Sequence, residues 1–201
     1  MADALVKATV YIATSIDGFI ARSDGNIDWL PHGGDGDAED YGYAAFMKTV
    51  DALVMGRKTF EAVRSFGAWP YGKKPVVVLS SKKVDIPKEL SRSVTALSGN
   101  VDAILGHLAS NGVKHVYVDG GVTIQRFLKA GAIQRLIITR VPVLIGQGIP
   151  LFGGLDHDIR LTHVITRMYA SGLVQSEYEV AAPKRRTTRK PRVSKAKKRA
   201  S

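Results

Sequence analysis

Two segments of this 201-residue chain share one order of features: a short apolar strand, a glycine turn and the start of a helix. The first segment covers residues 54–60 (VMGRKTF), and the second covers residues 116–123 (VYVDGGVT). A buried strand that leads through a tight turn into a helix is the building unit of a parallel sheet. In such sheets, ligands collect at the carboxyl ends of the strands. The two junctions therefore predict an α/β fold with a binding edge where both turns lie.

The rest of the chain continues this alternation, and its size favours one domain. We predict strands at residues 6–14, 52–55, 75–79, 113–118 and 133–143, and helices at 38–49, 58–65, 123–129 and between Asn100, which caps it, and Asn111-Gly112. Residues 17–37 and 144–158 are predicted to be glycine-rich loops. Residues 159–167 and 173–180 are predicted to close the fold as an antiparallel hairpin.

The positive charge of the chain is concentrated at its C-terminal end. The formal net charge is +11, and ten of the 29 Lys and Arg residues fall in residues 183–201, which contain no acid. The preceding part carries 19 basic and 18 acidic side chains and is nearly neutral. We therefore predict a domain at residues 1–182 and a disordered basic tail at 183–201. The tail either is a solubilising extension without a specific partner or contacts nucleic acid or another polyanion non-specifically.

Several classes of function are disfavoured by what the sequence lacks. It contains no cysteine, which excludes disulfides, thiolate zinc sites and cysteine nucleophiles and fits a reducing compartment. Its five histidines have no metal-binding spacing, so no metal is predicted. Neither the G-x-G-x-x-G fingerprint after the first strand nor a P-loop is present. Without a long apolar run or a signal peptide, the protein is expected to be cytoplasmic and free of membrane contact.

Both glycine turns have features of an anion site. Each brings free N–H groups and the positive dipole end of a helix to the end of a buried strand. Arg57 and Lys58 oppose that dipole, a conflict that a bound phosphate would resolve; alternatively, both side chains simply extend into water. Gly120 and Gly121 would let a ligand approach the main chain without a Cβ in the way. Together the turns predict a ligand that carries phosphate.

The same segments resemble signatures of the dihydrofolate-reductase-like superfamily. Four stretches are similar to dihydrofolate reductases: residues 55–61 (MGRKTFE), 75–81 (PVVVLSS), 12–21 (IATSIDGFIA, with Trp29 after a loop) and 119–121 (DGG, with Phe127-Leu128 after it). Residues 136–152 more closely resemble the reductase domain of the bifunctional riboflavin-biosynthesis deaminase–reductase. The resemblance spans about residues 6–180. It implies a three-layer α/β fold: a central mixed, mostly parallel sheet with helices on both faces and a C-terminal antiparallel hairpin.

The resemblance also implies NADPH as the cofactor. It assigns Gly56, Arg57, Lys58 and Thr59 to the cofactor's phosphates, Ser80 and Ser81 with Arg57 to the 2′-phosphate, Gly120, Gly121, Val122 and Thr123 to the pyrophosphate, and Ala13 and Ile20 to the border of the nicotinamide. The guanidinium of an arginine offers a fork of donors to phosphate, and serine hydroxyls can complete the shell. We therefore expect NADPH to be preferred over NADH.

Two carboxylates are candidates for the acid that protonates the substrate after hydride transfer. Asp40 lies where dihydrofolate reductases place their acid, but an acid near a helix start also serves as a dipole partner. Asp17 is the second candidate. Its Asp17-Gly18 pair is also a turn signal, and a role in closing the loop is an equal alternative.

The resemblance leaves the substrate open. The leading prediction is hydride transfer from NADPH to a pyrimidine- or pteridine-like heterocycle, similar to the 5-amino-6-(5-phosphoribosylamino)uracil reductase of riboflavin biosynthesis. Residues 60–64 (FEAVR) are closer to dihydrofolate reductase, the second reading, whereas residues 33–36 interrupt the region of a pterin pocket. The third reading is a non-catalytic nucleotide- or polyanion-binding protein. A homodimer through the final hairpin is also implied by the resemblance.

Overall fold

A computed structural model describes residues 6–31 and 39–181. The strands are β1 (Lys7–Ser15), β2 (Phe19–Ala21), β3 (Ala52–Gly56), β4 (Val76–Leu79), β5 (Val94–Leu97), β6 (His115–Asp119), β7 (Arg135–Val141), β8 (Ile149–Pro150), β9 (Leu161–Met168) and β10 (Val174–Val180). The α-helices are α1 (Tyr43–Thr49), α2 (Arg57–Ser65), α3 (Val101–Ser110) and α4 (Gly121–Lys129). A short 3₁₀ helix lies at Lys88–Leu90.

Eight strands form one sheet in the order β5-β4-β3-β6-β1-β7-β10-β9. The six strands from β5 to β7 are parallel to one another, whereas β10 is antiparallel to both β7 and β9. Strand β4 is apolar and buried throughout, as expected of a parallel strand covered on both faces. The predicted α/β fold with a mostly parallel sheet and a C-terminal hairpin is confirmed.

Helices cover both faces of the sheet because successive side chains of each strand point to opposite sides. Val116 and Val118 of β6 belong to the same core cluster as the buried residues of α3 and α4. Tyr117, between them, belongs to the cluster that contains Phe46 of α1 and Phe60 of α2. We call this second side the α1/α2 face. The predicted three-layer arrangement is therefore present.

Three short strands were not predicted. Strands β2 and β8 pair with each other as a separate two-stranded sheet inside the two stretches predicted to be loops. Strand β5 was missed because its sequence, VTAL, exposes its central Thr95 and Ala96 and so lacks a continuous apolar run. The helix predicted at 38–49 starts only at Tyr43. No helix within the described residues is long and apolar enough to cross a membrane.

Two sequence predictions fall outside the described residues. The Gly33–Gly36 interruption lies in the gap between residues 31 and 39, and the basic tail at 183–201 follows the last described residue. The domain boundary near residue 182 therefore stays a prediction.

Candidate active site

The two glycine turns predicted from the sequence lie side by side. Strands β3 and β6 are neighbours in the sheet, and Met55 is the register partner of Asp119. Gly56 and Gly120 are the next residues on these strands, so both turns are at the same carboxyl edge. Helices α2 and α4 leave this point on opposite faces of the sheet. Such a switch point is where open α/β sheets bind ligands.

The turns interlock through one threonine from each helix. A Cβ on Gly120 would overlap Thr59 Oγ1 of α2, and a Cβ on Gly56 would lie 3.2 Å from Thr123 Oγ1 of α4. Gly120 also has a φ of 86°, which side chains other than glycine rarely adopt. The glycines therefore let the two helix starts come closer together than any other residue would.

Both helix starts leave their N–H groups without a side-chain partner. Neither α2 nor α4 has a side-chain N-cap hydrogen bond or an acid in its first turn. In contrast, α3 is capped by Asn100, whose side chain accepts a hydrogen bond from the Ala103 amide at 2.8 Å, and it carries Asp102 in its first turn. Helix α1 also has a glycine N-cap, but Asp40 accepts from its Ala44 amide, whereas the α2 and α4 starts that meet at the switch point have no such acceptor, which suits an external anion.

Cationic and hydroxyl side chains flank the α2 start. Arg57 is partly exposed and donates a 2.8 Å hydrogen bond to Glu61 on the same helix, so part of its charge is balanced locally. Lys58 is exposed. Ser80 follows Leu79, the register partner of Gly56, and its hydroxyl donates to Lys82 O in a local turn. These positions keep the predicted phosphate contacts within one edge of the sheet.

The β2–β8 sheet lies against the α4 start. A Cβ on Gly121 would approach Pro150 O, Ile20 Cδ1 and Ile149 Cγ2 within 3.3 Å. Asp17 ties the same loops together, because its carboxylate accepts hydrogen bonds from the Gly146 amide at 2.8 Å and the Ile145 amide at 3.3 Å. Hydrogen bonding from Ser15 and from these amides lowers the pKa of Asp17. Asp17 therefore links the loop after β1 to the loop after β7.

Asp119 is a carboxylate that sequence reasoning did not single out. It ends β6 on the same side as Tyr117 and therefore lies on the α1/α2 face, partly buried at the carboxyl edge. Its Oδ1 accepts a hydrogen bond from the Gly120 amide at 2.7 Å. Desolvation raises its pKa from 3.8 to about 6, which this hydrogen bond only partly offsets. The available signal was its position, an acid between a buried strand and a glycine pair.

Aromatic side chains share the α1/α2 face with Asp119. Desolvation raises the pKa of both Tyr43 and Tyr71, and the charge of Asp119 is the next contribution to each. Tyr71 also packs edge-to-face on Trp69, with ring centroids 5.0 Å apart. An acid with a raised pKa beside flat, apolar walls is an arrangement that can hold and protonate a planar heterocycle.

Asp40 is held at the start of α1. Its carboxylate accepts hydrogen bonds from the Gly42 amide at 2.9 Å and the Ala44 amide at 2.8 Å. These bonds lower its pKa, with the Ala44 amide contributing most. At neutral pH the side chain is an anion that stabilises the turn before α1. This is the dipole-partner alternative raised from the sequence, and a lowered pKa makes Asp40 a weaker proton donor than Asp119.

Comparison with known proteins places this geometry in a family. The family model described as RibD C-terminal domain matches residues 6–175. The chain belongs to the RibD C-terminal domain family. The match covers every candidate residue named above, including both glycine turns and Asp119. The chain is therefore a RibD-like reductase, and the predicted resemblance is confirmed.

Two relatives match this RibD-like reductase over nearly their whole length. The Uncharacterized protein YwjB of Bacillus subtilis (strain 168) is 35% identical over 175 residues, which are 86% of this chain and 97% of that protein. The crystal structure of the Putative riboflavin biosynthesis protein from Shewanella sp. PV-4 is 39% identical with a TM-score of 0.79, covering 88% of this chain and 99% of that one.

The wider fold is shared with dihydrofolate reductase. The enzyme from Enterococcus faecalis, complexed with NADP(H) and a second ligand, superposes with a TM-score of 0.59 at 19% identity, covering 88% of this chain and 95% of that one. At this identity the likeness shows the fold alone. Within residues 6–31 and 39–181 of the RibD-like reductase, no group of three or more His, Asp or Glu side chains could hold a metal ion.

Proposed function

We propose that this RibD-like reductase binds NADPH along the carboxyl edge of its sheet and reduces a planar nitrogen heterocycle beside Asp119. The observation that carries the proposal is the pair of adjacent helix starts, α2 and α4, which lack both caps and first-turn acids. Two sets of free N–H groups side by side fit the phosphates of a dinucleotide. The dihydrofolate reductase of the same fold is complexed with NADP(H).

The preference for a 2′-phosphorylated dinucleotide rests on residues next to α2. Arg57, Ser80 and Ser81 follow two neighbouring strand ends, because Gly56 and Leu79 are register partners. The guanidinium of Arg57 is held by Glu61 but keeps donors free, since the bond to Glu61 uses only Nη1. Lys58 adds a second cation. We assign the 2′-phosphate to this group and the pyrophosphate to Gly120, Gly121, Val122 and Thr123.

The substrate lies, in this proposal, on the α1/α2 face. Tyr11 and Ala13 are two residues apart on β1, so both point to this face, as does Asp119 on the adjacent β6. Bound NADPH supplies the hydride. Asp119 supplies the proton to the substrate nitrogen, since a pKa of about 6 leaves part of it protonated near neutral pH. Asp40 and Asp17 fix the α1 turn and the loops around the site.

Cofactor titration tests the proposal directly. We expect micromolar NADPH binding, and we expect Arg57→Ala to weaken NADPH by about 10–100-fold, the range for a lost charged hydrogen bond, with little change for NADH. The matched control is Arg92→Ala, because Arg92 is exposed just before β5, at the opposite edge of the sheet. Equal losses for both cofactors would remove Arg57 from the 2′-phosphate site. A folded protein that ignores millimolar NADPH would overturn the proposal.

Turnover assays separate the two substrate classes. We propose 5-amino-6-(5-phosphoribosylamino)uracil or a related aminopyrimidine as the first substrate to test, because the chain belongs to the RibD family. Dihydrofolate is the second, on the grounds of the shared fold. The non-catalytic alternative predicts binding to DNA that is lost when residues 183–201 are deleted, without NADPH binding.

The proposed homodimer is supported by strand β9. All eight residues of this edge strand are exposed, among them Leu161, Val164, Ile165 and Met168. A long edge with apolar side chains favours pairing with a second copy. Light scattering should give a dimer mass for the wild type and a monomer mass for Val164→Lys. Phe66→Lys, which changes an apolar residue exposed elsewhere, should leave the dimer intact.

A further inference from the structure

One main-chain oxygen, the carbonyl of Tyr41, is the acceptor for three side chains. Tyr11 Oη donates to it at 2.6 Å, Gln175 Nε2 at 3.1 Å and Tyr169 Oη at 3.4 Å. The donors come from β1, from β10 and from the turn that joins β9 to β10. A carbonyl oxygen has two lone pairs, which the two shorter donors fill, and the single hydrogen of Tyr169 Oη is shared between this oxygen and Gln175 Oε1. The C-terminal hairpin is therefore hydrogen-bonded to the main chain at Tyr41.

Tyr41 itself has an uncommon backbone conformation. Tyr41 has a φ of 54° and is the one non-glycine residue with positive φ among those the structure describes; Gly42, with a φ of 87°, follows it. Such conformations persist only where surrounding contacts hold them. Further contacts come from the ring of Tyr41, which packs edge-to-face on Tyr169 with centroids 4.8 Å apart, and from its hydroxyl, which donates to Ser171 Oγ at 3.4 Å.

Gln175 is the centre of the hydrogen bonds that hold this turn. Its side chain is buried, with the residue 3% exposed. The two hydrogens of its Nε2 are shared among Tyr41 O, Tyr11 Oη at 3.0 Å and Thr139 Oγ1 at 3.1 Å, and its Oε1 lies 3.3 Å from Tyr169 Oη. An apolar residue would fill such a position in a strand without needing partners. A buried amide with bonds on both of its ends instead fixes the geometry of what it touches.

The turn held by Gln175 leads directly into α1. Asp40 caps the start of this seven-residue helix through the Gly42 and Ala44 amides. Tyr43, the first helical residue, packs on Tyr11 with centroids 5.5 Å apart, so Tyr11 contacts both the turn and the helix. Tyr43 packs against the cluster that contains Tyr117, on the same face of the sheet as Asp119. The position of Tyr43 at the start of α1 thus depends on the Tyr41 turn.

We infer that Gln175 is a positioning residue, which holds the Tyr41 turn and through it sets the α1 wall of the substrate cleft beside Asp119. The inference rests on the proposed function in one respect, that this cleft receives the substrate. It assigns to the C-terminal hairpin a role in substrate binding although Gln175 itself does not touch the substrate. Cofactor binding, at the α2 and α4 starts, is independent of this contact.

The test compares Gln175→Leu with a matched control in the same hairpin. Ser176→Ala removes the neighbouring buried hydroxyl, which bonds to Thr166 Oγ1 at 2.9 Å on the opposite face of the same two strands. Hydrogen exchange followed by mass spectrometry reports on peptides covering residues 39–47, and steady-state kinetics with the aminopyrimidine reports KM and kcat. Tyr169→Phe, which removes one donor and keeps the ring, is the milder second variant.

We expect Gln175→Leu to speed exchange in residues 39–47 and to raise the substrate KM, each about tenfold, as for 1.4 kcal/mol of lost interaction, while the NADPH Kd stays unchanged. Tyr169→Phe should increase the exchange rate and the substrate KM by less, and Ser176→Ala should change neither of these two quantities. Unchanged exchange in residues 39–47 for both Gln175→Leu and Tyr169→Phe would overturn the inference. So would an equal effect of Ser176→Ala.

The two proposals fail separately. If NADPH does not bind the wild type, the proposed function is wrong, yet the exchange experiment still reads the link between Gln175 and Tyr41. If NADPH binds and turnover occurs, but Gln175→Leu raises exchange in residues 39–47 without changing the substrate KM, the reductase stands and the positioning role is wrong. Should Gln175→Leu not fold, Tyr169→Phe alone decides both readouts.

Discussion

Replacing Asp119 by asparagine should make the protein more stable and less active. A rise in the pKa of Asp119 from 3.8 to about 6 means that its ionised form is disfavoured in the folded state by roughly 3 kcal/mol. Asparagine keeps an oxygen that can accept the hydrogen bond from the Gly120 amide, so the turn keeps its geometry. Removing the charge should therefore recover about 2–3 kcal/mol of the free energy of unfolding above neutral pH.

The sign of the pH dependence follows from which state binds more protons. Between the unfolded pKa near 3.8 and the folded pKa near 6, the native protein holds the Asp119 proton more tightly than the unfolded chain. The wild type therefore gains stability relative to Asp119→Asn as the pH falls through this window. The advantage of the asparagine variant should be full at about pH 8 and roughly half as large at about pH 5.

Urea unfolding at these two pH values measures the difference, with turnover followed in parallel. Asp102→Asn is the matched control: Asp102 is exposed in the first turn of α3, where its charge favours the helix, so its replacement should slightly destabilise the protein. We expect Asp119→Asn to bind NADPH like the wild type while losing most of its turnover. The reasoning is refuted if Asp119→Asn is no more stable than the wild type at pH 8, or if its gain is the same at both pH values.

Three further predictions follow from single contacts. Gly120→Ala should lower the free energy of unfolding by about 2–4 kcal/mol, because the new Cβ overlaps Thr59 Oγ1 and the φ is strained. Gly112→Ala is the control in thermal or urea unfolding: it has a similar φ of 77° but open space around it, so the loss should be only about 1 kcal/mol. Asp17→Asn should speed exchange of the Gly146 amide severalfold, because the acceptor loses its charge, and an unchanged rate would contradict the link between the loops. Burial lowers the pKa of His115, so its contribution to stability is complete above pH 6.5 and is lost as the pH falls through its folded pKa. His115→Gln should reduce this loss when the free energy of unfolding is measured against pH. An unchanged slope of that free energy with pH would exclude His115 as the source.

The fold could be predicted wherever a local pattern decides the structure. Strand β4 is four apolar residues in a row, and α3 has both a cap and an apolar stripe, so each is readable from a short stretch. Strands β2 and β8 could not be predicted in this way because they have three and two residues and exist through their pairing with each other. Gly148 allows that pairing, since a Cβ there would overlap Ala21 O, but glycine in a sequence first indicates a loop.

In the candidate site, too, some features could be read from a short stretch of sequence and others depend on the fold. The glycine turns were visible because the chain needs glycine where Thr59 and Thr123 cross over from the other helix. Asp119 was overlooked because its raised pKa comes from burial in the folded protein, which a short stretch of sequence does not reveal. Conversely, Asp40 has the right place in the order of elements, and only the structure reveals the two amides that hold its charge.

The features on which the proposed site at this edge of the sheet rests all lower the stability of the protein without ligand. Two helices start without caps, a carboxylate is partly desolvated at Asp119, and Tyr41 has a positive φ. Each is a local conflict of the kind that folded proteins keep mainly at functional sites. A ligand that brings phosphate to the helix starts removes the first conflict, so its binding must raise the free energy of unfolding in proportion to the logarithm of its concentration. The same physical terms that assign the site therefore require that stability and ligand binding be coupled through α2 and α4.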